Sequence, residues 1–147
     1  VLPEADMAVA AVENCTFCRI VHGEVAAERV VETPDAIAFL DHRPLFPGHV
    51  LLIPRTHFET LGDLPPELIG PLFGLARRLS VAMETGLGAG GSFVAVNNRV
   101  SQSVPHLHVH IVPRTKGDGL RGFFWPRQHY RDEAHQVETA ERIRAAL

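Results

Sequence analysis

Three histidines alternate with apolar residues in Pro105-His106-Leu107-His108-Val109-His110-Ile111-Val112-Pro113-Arg114. Successive side chains of a β-strand point to opposite faces. A strand here therefore puts His106, His108 and His110 on one face and Leu107, Val109 and Ile111 on the other. The second face reads as core, and Pro105 and Pro113 mark the ends of the run. Imidazole is poor filler for a packed face. It changes charge near neutral pH, and it serves as nucleophile, acid or metal ligand. Three histidines at period 2 mark a site.

The triplet is badly shaped to hold one metal ion by itself. Strand rise separates its outer Cα atoms by about 13–14 Å, whereas a metal–nitrogen bond spans only about 2.1 Å. Cys15-x-x-Cys18 is a second constellation. Such a turn brings two thiolates onto one ion, and structural zinc then needs two further ligands. Only histidines remain for that task. His57 and His106 are the candidates, although spacing alone does not single out His57. A redox reading of the cysteines lacks the thioredoxin-like pattern around them.

One histidine lent to an ion leaves two for chemistry. His108 is central, and a neutral imidazole nitrogen attacks phosphorus when an acceptor holds the N–H of its partner nitrogen. His110 and His49 are candidate donors to phosphoryl oxygens, and Gln102 and Ser103 could orient a phosphate or a leaving group. Gly86-x-Gly88-x-x-Gly91 matches the dinucleotide fingerprint only in its letters. It closes a helix and precedes a strand, whereas pyrophosphate binding needs the reverse order.

The elements that must position these residues follow from the pattern. Residues 1–14 read as a tail, and residues 15–147 as a single domain with a C-terminal extension from about 115. One or two helical turns open it at Cys15. Strands are expected over 29–33, 36–40, 49–53 and 93–97, followed by the histidine strand. Leu68, Leu72, Leu75, Leu79 and Met83 recur at helical spacing after Pro65-Pro66. Pro71 inside that run predicts a late start or a bend. A terminal helix carries Val137, Ala140, Ile143 and Leu147 on one stripe. Strands not separated one by one by helices argue for an α+β fold on an antiparallel sheet.

Composition narrows the function classes. A chain of 147 residues with 46% hydrophobic and 21% charged residues suits one globular domain. A net charge of −3 gives no broad electrostatic footprint for nucleic acid, though a small nucleotide needs only local groups. No apolar run reaches the ~20 residues of a membrane span, and no basic n-region announces a signal peptide. A cytoplasmic location with reduced cysteines is expected. Met7 is a candidate natural start.

With these residues in view, the chain resembles the histidine triad (HIT) superfamily over roughly residues 15–114, in its zinc-binding Cys-x-x-Cys branch. The triad His106-Leu-His108-Val-His110-Ile-Val carries the likeness. Cys15-x-x-Cys18, Phe39-Leu40-Asp41, Pro47-Gly48-His49-Val50, Ile53-Pro54-Arg55-x-His57, Asn97 and Gln102-Ser103-Val104 follow in family order. The resemblance implies a five-stranded antiparallel sheet with a central and a C-terminal helix, usually dimerised. It implies a nucleotide hydrolase or transferase in which His108 attacks the α-phosphorus, oriented by the carbonyl of His106. His110 and His49 would bind phosphoryl oxygens, Asp41 the ribose, and Asn97 and Ser103 the phosphate and leaving group. Structural zinc would sit on Cys15, Cys18, His57 and His106.

Two features depart from the phosphoramidase branch: a shorter Asn97–Gln102 loop, and Pro105 in place of an aromatic residue. Phosphoramidates and dinucleoside polyphosphates both remain open as substrates, with a purine nucleotide or dinucleotide as the expected ligand and a homodimer as the expected assembly. The aromatics Phe123, Phe124 and Trp125 could cover the site, face a dimer surface or clasp their own core. A non-catalytic nucleotide-binding adaptor and a zinc-dependent hydrolase are the competing functions.

Overall fold

The computed structural model describes residues 3–4, 12–121 and 127–147. The expected aromatic cover at Phe123–Trp125 and most of the N-terminal tail lie outside these residues. Among them the elements run α1 (Thr16–Val21), β1 (Arg29–Glu32), β2 (Ala36–Leu40), β3 (Val50–Pro54), α2 (Pro66–Leu87), β4 (Gly91–Val96), β5 (Val109–Arg114) and α3 (Glu133–Ala145). The strands form one antiparallel sheet in the order β1-β2-β3-β5-β4. This is the α+β architecture expected from the sequence, with the limits of the first four strands moved by at most two residues.

Alternation in the strands builds two cores. Ala36, Ala38, Val50, Leu52, Val109 and Ile111 pack with Leu107 against Leu72, Leu75, Leu79 and Met83 of α2. On the opposite face Ile37, Phe39, Leu51 and Ile53 pack with Cys15, Phe17, Cys18 and Ile20 of the α1 region. Every position of the predicted α2 stripe packs into the first of these cores, Leu68 while only partly buried.

Pro71 neither delays nor ends α2, which runs unbroken from Pro66. It lies within the second turn on the exposed side, so only the carbonyl of exposed Glu67 loses an intrahelical partner, and water can meet it. Gly88 ends the helix at φ 68°, a left-handed cap that glycine adopts without steric cost. Gly86, Gly88 and Gly91 therefore span a helix end and a strand start, as their order in the sequence predicted. Among the described residues nothing buries the stripe on α3: the helix has no buried residue, Val137 and Ile143 are exposed, and Ala140 is only partly covered.

The histidine segment departs from a single strand. Pairing begins only at Val109, opposite Leu52 of β3 and Val96 of β4. Only β4 runs out there, at Val96; β3 continues to Pro54, paired with β2 alone. His106 lies in a bend, its N–H donating to the Val104 carbonyl at 2.8 Å, and Leu107 and His108 follow without a ladder, the Leu107 N–H donating to the Phe58 carbonyl at 2.6 Å. The alternation survives this change. Leu107 is fully buried in the α2 core, while His106 and His108 are buried toward the α1 side.

Candidate functional site

All three histidines of the triplet, with His49 and the two cysteines, meet on the sheet face that α1 covers. Cys15 caps α1, its sulfur accepting from the Cys18 N–H at 3.4 Å, and this turn presents both sulfurs to the end of β3. His106 Nδ1 lies 3.4 Å from Cys15 Sγ and 3.5 Å from Cys18 Sγ, and His57 Nδ1 lies 3.2 Å from Cys18 Sγ. Metal–sulfur bonds of about 2.3 Å and metal–nitrogen bonds of about 2.0–2.1 Å give a tetrahedral sulfur–nitrogen edge of about 3.5 Å. The four ligand atoms lie within 4.8 Å of one another. They fit a tetrahedral ion.

The state of His106 suits that use. Its Nε2 lies 2.9 Å from the Pro54 carbonyl. A carbonyl only accepts, so Nε2 carries the proton and Nδ1 offers its lone pair to the sulfurs. Burial pushes the Cys18 thiol up to about 12, with the hydrogen bond from Cys15 and its charge adding to the rise. Two thiols this close cannot both ionise in a dry pocket unless a cation lies between them.

His108 shows the same logic with the opposite outcome. Its Nδ1–H donates to the His106 carbonyl at 2.7 Å, which leaves the lone pair on Nε2. The ring stands edge-on to Phe17, with centroids 5.1 Å apart, and has His110 on another side at 4.9 Å. Burial lowers its pKa against the opposing pull of the His106 carbonyl and Asp41. A neutral, pinned imidazole with its lone pair left on Nε2 can act as a nucleophile.

His49 and His110 form a directional chain. The Leu45 N–H donates to His49 Nδ1 at 3.1 Å, so His49 carries its proton on Nε2 and donates to His110 Nδ1 at 3.0 Å. That contact puts the His110 proton on Nε2, where it can meet an anionic oxygen. Burial pushes His110 down to about 4, with repulsion from His108 and His49 added, and burial also lowers His49. Both rings are neutral at pH 7. Asp41, His49 and His110 also cluster closely enough to suggest a second ion. They lack converging lone pairs, because the Leu45 N–H and the His49–His110 bond already use the lone pair of each ring.

The remaining expected residues divide. Asp41 accepts the Arg43 N–H on Oδ1 at 2.9 Å, and its Oδ2 lies 3.8 Å from His49 Nδ1, too far for a hydrogen bond. Asn97 and Ser103 are exposed, on either side of the loop that leads to the triplet. Gln102 was expected to offer its amide to a phosphate or leaving group, but both ends are engaged within the chain. Its Oε1 accepts from Arg99 N–H at 2.8 Å, and its Nε2 donates to the Glu59 carbonyl at 2.6 Å. Sequence reasoning passed over Phe17, the Pro54 carbonyl and the Leu45 N–H. The two backbone groups leave no side-chain signal, and Phe17 reads from the sequence only as one more apolar residue.

Comparison with known proteins agrees with this geometry. The family model for the HIT domain matches residues 22–117. An uncharacterized HIT-like protein of Methanocaldococcus jannaschii is 39% identical over 107 residues, covering 71% of this chain and 82% of that protein. An adenosine 5'-monophosphoramidase of Saccharomyces cerevisiae is 34% identical over 117 residues, covering 78% of this chain and 71% of the enzyme. The crystal structure of a zinc-bound histidine triad family protein from Mycobacterium smegmatis superposes with a TM-score of 0.71 at 35% identity, covering 92% and 99% of the two chains.

The lowered pKa of His110 has a measurable consequence. Between its ordinary value of 6.5 and its folded value of about 4, the unfolded ring binds a proton that the folded ring refuses. His110 therefore contributes its full stability above pH 6.5 and loses it as pH falls through 4. Chemical denaturation across this window should show stability declining with acid, and His110→Gln should flatten the decline. An unchanged slope in the variant would contradict the neutral chain.

Proposed function

The chain belongs to the HIT domain family, and from that premise we propose that it is a nucleotidyl hydrolase or transferase working through a covalent nucleotidyl-histidine. The observation that carries this reading is the pinned His108 ring, with Nδ1–H on the His106 carbonyl and the Nε2 lone pair beside the His110 N–H donor.

In the proposed reaction His108 Nε2 attacks the α-phosphorus and the bond to the leaving group breaks. His110 Nε2–H donates to a non-bridging oxygen as charge gathers there, the usual means of stabilising such a transition state. His49 acts through His110, holding its proton on the outward nitrogen. Asp41 offers a carboxylate oxygen to the ribose hydroxyls, and Asn97 binds near the phosphate. The Ser103 hydroxyl meets the leaving group. Water then attacks the phosphorus of the adduct, the bond to His108 Nε2 breaks and the ring returns to its neutral state, and the proton that water gives up balances the one the leaving group took from solvent. The name of the yeast relative favours an adenosine phosphoramidate as the first substrate to try.

Zinc on Cys15, Cys18, His57 and His106 is part of this reading, supported by the tetrahedral spacing and by the zinc-bound relative. Its task there is structural: all four positions are filled by protein, so the site keeps none open for water or substrate. A homodimer is also part of it. Val94 lies exposed on edge strand β4, and Ile69, Val81 and Leu87 lie exposed on α2, apolar surface that a second copy would cover.

Three measurements check these statements. Rapid denaturation during turnover should leave a nucleotide attached to the wild-type chain. His108→Ala should remove the adduct and lower turnover by on the order of 10⁴-fold or more, with its unfolding transition retained. Turnover that survives the substitution would rule out the nucleophile, and tight mononucleotide binding without any adduct would mean a binding protein instead.

Metal analysis should find close to one zinc per chain, and a chelator or Cys15→Ser should lower stability together with activity. Activity lost at once from a chain of unaltered stability would point to a catalytic ion. Sedimentation should return twice the mass of the chain; a monomer at micromolar concentration would remove the dimer from the proposal.

A further inference from the structure

The loop between β4 and the triplet holds a conformation that its residues do not favour by themselves. Arg99 and Ser101 both sit at positive φ, 68° and 60°, where a Cβ crowds the backbone. Val100 between them is 81% exposed, so no apolar burial draws the loop into place. Two side-chain amides do so instead, beside an exposed ion pair in which Arg99 Nη1 lies 4.0 Å from Glu59 Oε1. Asn98 Oδ1 accepts the Leu61 N–H at 2.8 Å. Gln102 bridges from the Arg99 N–H to the Glu59 carbonyl.

Both amides grip the same short segment, residues 57–63. That segment begins at His57, one of the four clustered ligands, and ends in a capping box between Thr60 and Asp63. Its Phe58 carbonyl also accepts the Leu107 N–H, between His106 and His108. One rail thus carries a metal-site residue, steadies the triplet and holds the loop.

We propose that Asn98 and Gln102 are positioning residues: they clamp the 97–103 loop onto this rail and thereby fix where Ser103 meets the leaving group. The assignment rests on the reaction proposed above and gives Gln102 a different task from direct substrate contact. Because the clamp acts on the leaving-group side, it governs discrimination among leaving groups. The nucleotide half of the substrate, held by Asp41 and His110, is outside its reach.

The test compares Asn98→Ala, Gln102→Ala and Asn98→Asp on adenosine phosphoramidates bearing an alkylamine or a more acidic arylamine. Hydrogen exchange over residues 97–103 is measured on the same samples. Only the oxygen of Asn98 is used, so aspartate keeps the bond and should behave as wild type. Both alanine variants should speed loop exchange. They should also slow alkylamine release by about tenfold, with a smaller loss for the arylamine and little change in KM.

Slowing by Gln102→Ala without slowing by Asn98→Ala would mean that Gln102 touches substrate, and would overturn the clamp. Unaltered loop exchange in both alanine variants would overturn it as well. A wild type that cleaves no nucleotide defeats the preceding reading, and the exchange data then decide the clamp by themselves.

Discussion

A neutral imidazole owns one N–H and one lone pair, so a fixed partner at one ring nitrogen decides what the other can do. This constraint governs the whole site. The Pro54 carbonyl takes the proton of His106 at Nε2 and leaves Nδ1 for the cysteines. The His106 carbonyl takes the proton of His108 at Nδ1 and leaves Nε2 for an electrophile. The Leu45 N–H fixes His49, and His49 fixes His110. Four similar side chains thereby acquire separate chemistry from backbone groups that any sequence possesses.

The fold exists in a form that delivers those backbone groups. If β3 and β5 had continued to pair through residue 107, a regular ladder would have used groups that are free where the strands separate. Pairing stops at Val109 instead, and the triplet is held by the Leu107 N–H on the Phe58 carbonyl and the His106 N–H on the Val104 carbonyl. Burial then keeps the rings neutral, because a charged imidazole loses hydration there without gaining a carboxylate partner close enough to replace it. The same burial makes the Cys18 thiol reluctant to ionise, and a cation in the Cys15–Cys18–His57–His106 cluster would resolve that conflict. The candidate metal cluster and the candidate nucleophile share the residue His106, which lends its ring to one and its carbonyl to the other.

Phe17 belongs to the same economy of parts. It lies between the two cysteines in the chain, and its ring meets His106, His108 and Phe39. A turn that gathers metal ligands thus also walls the candidate nucleophile. The loop before the triplet is a looser addition, docked by side-chain amides where burial offers little hold.

Much of this was legible in the sequence because it depends on local periodicity. Alternation placed the histidines opposite Leu107, Val109 and Ile111, a 3–4 spacing drew α2, and the order of motifs pointed to the family that the comparisons bear out. What sequence could not supply were groups without a side-chain signature and contacts across long chain separations. The Pro54 carbonyl beside His106, the Leu45 N–H on His49 and the grip of Gln102 on Glu59 are of this kind. The exposed α3 stripe is another case, since periodicity shows which residues share a face but not whether anything lies against it. The sequence by itself determined that there are three histidines on one face and two cysteines able to reach them. Only the tertiary structure decided which nitrogen of each ring holds its proton, because that choice belongs to the partner that folding brings to it.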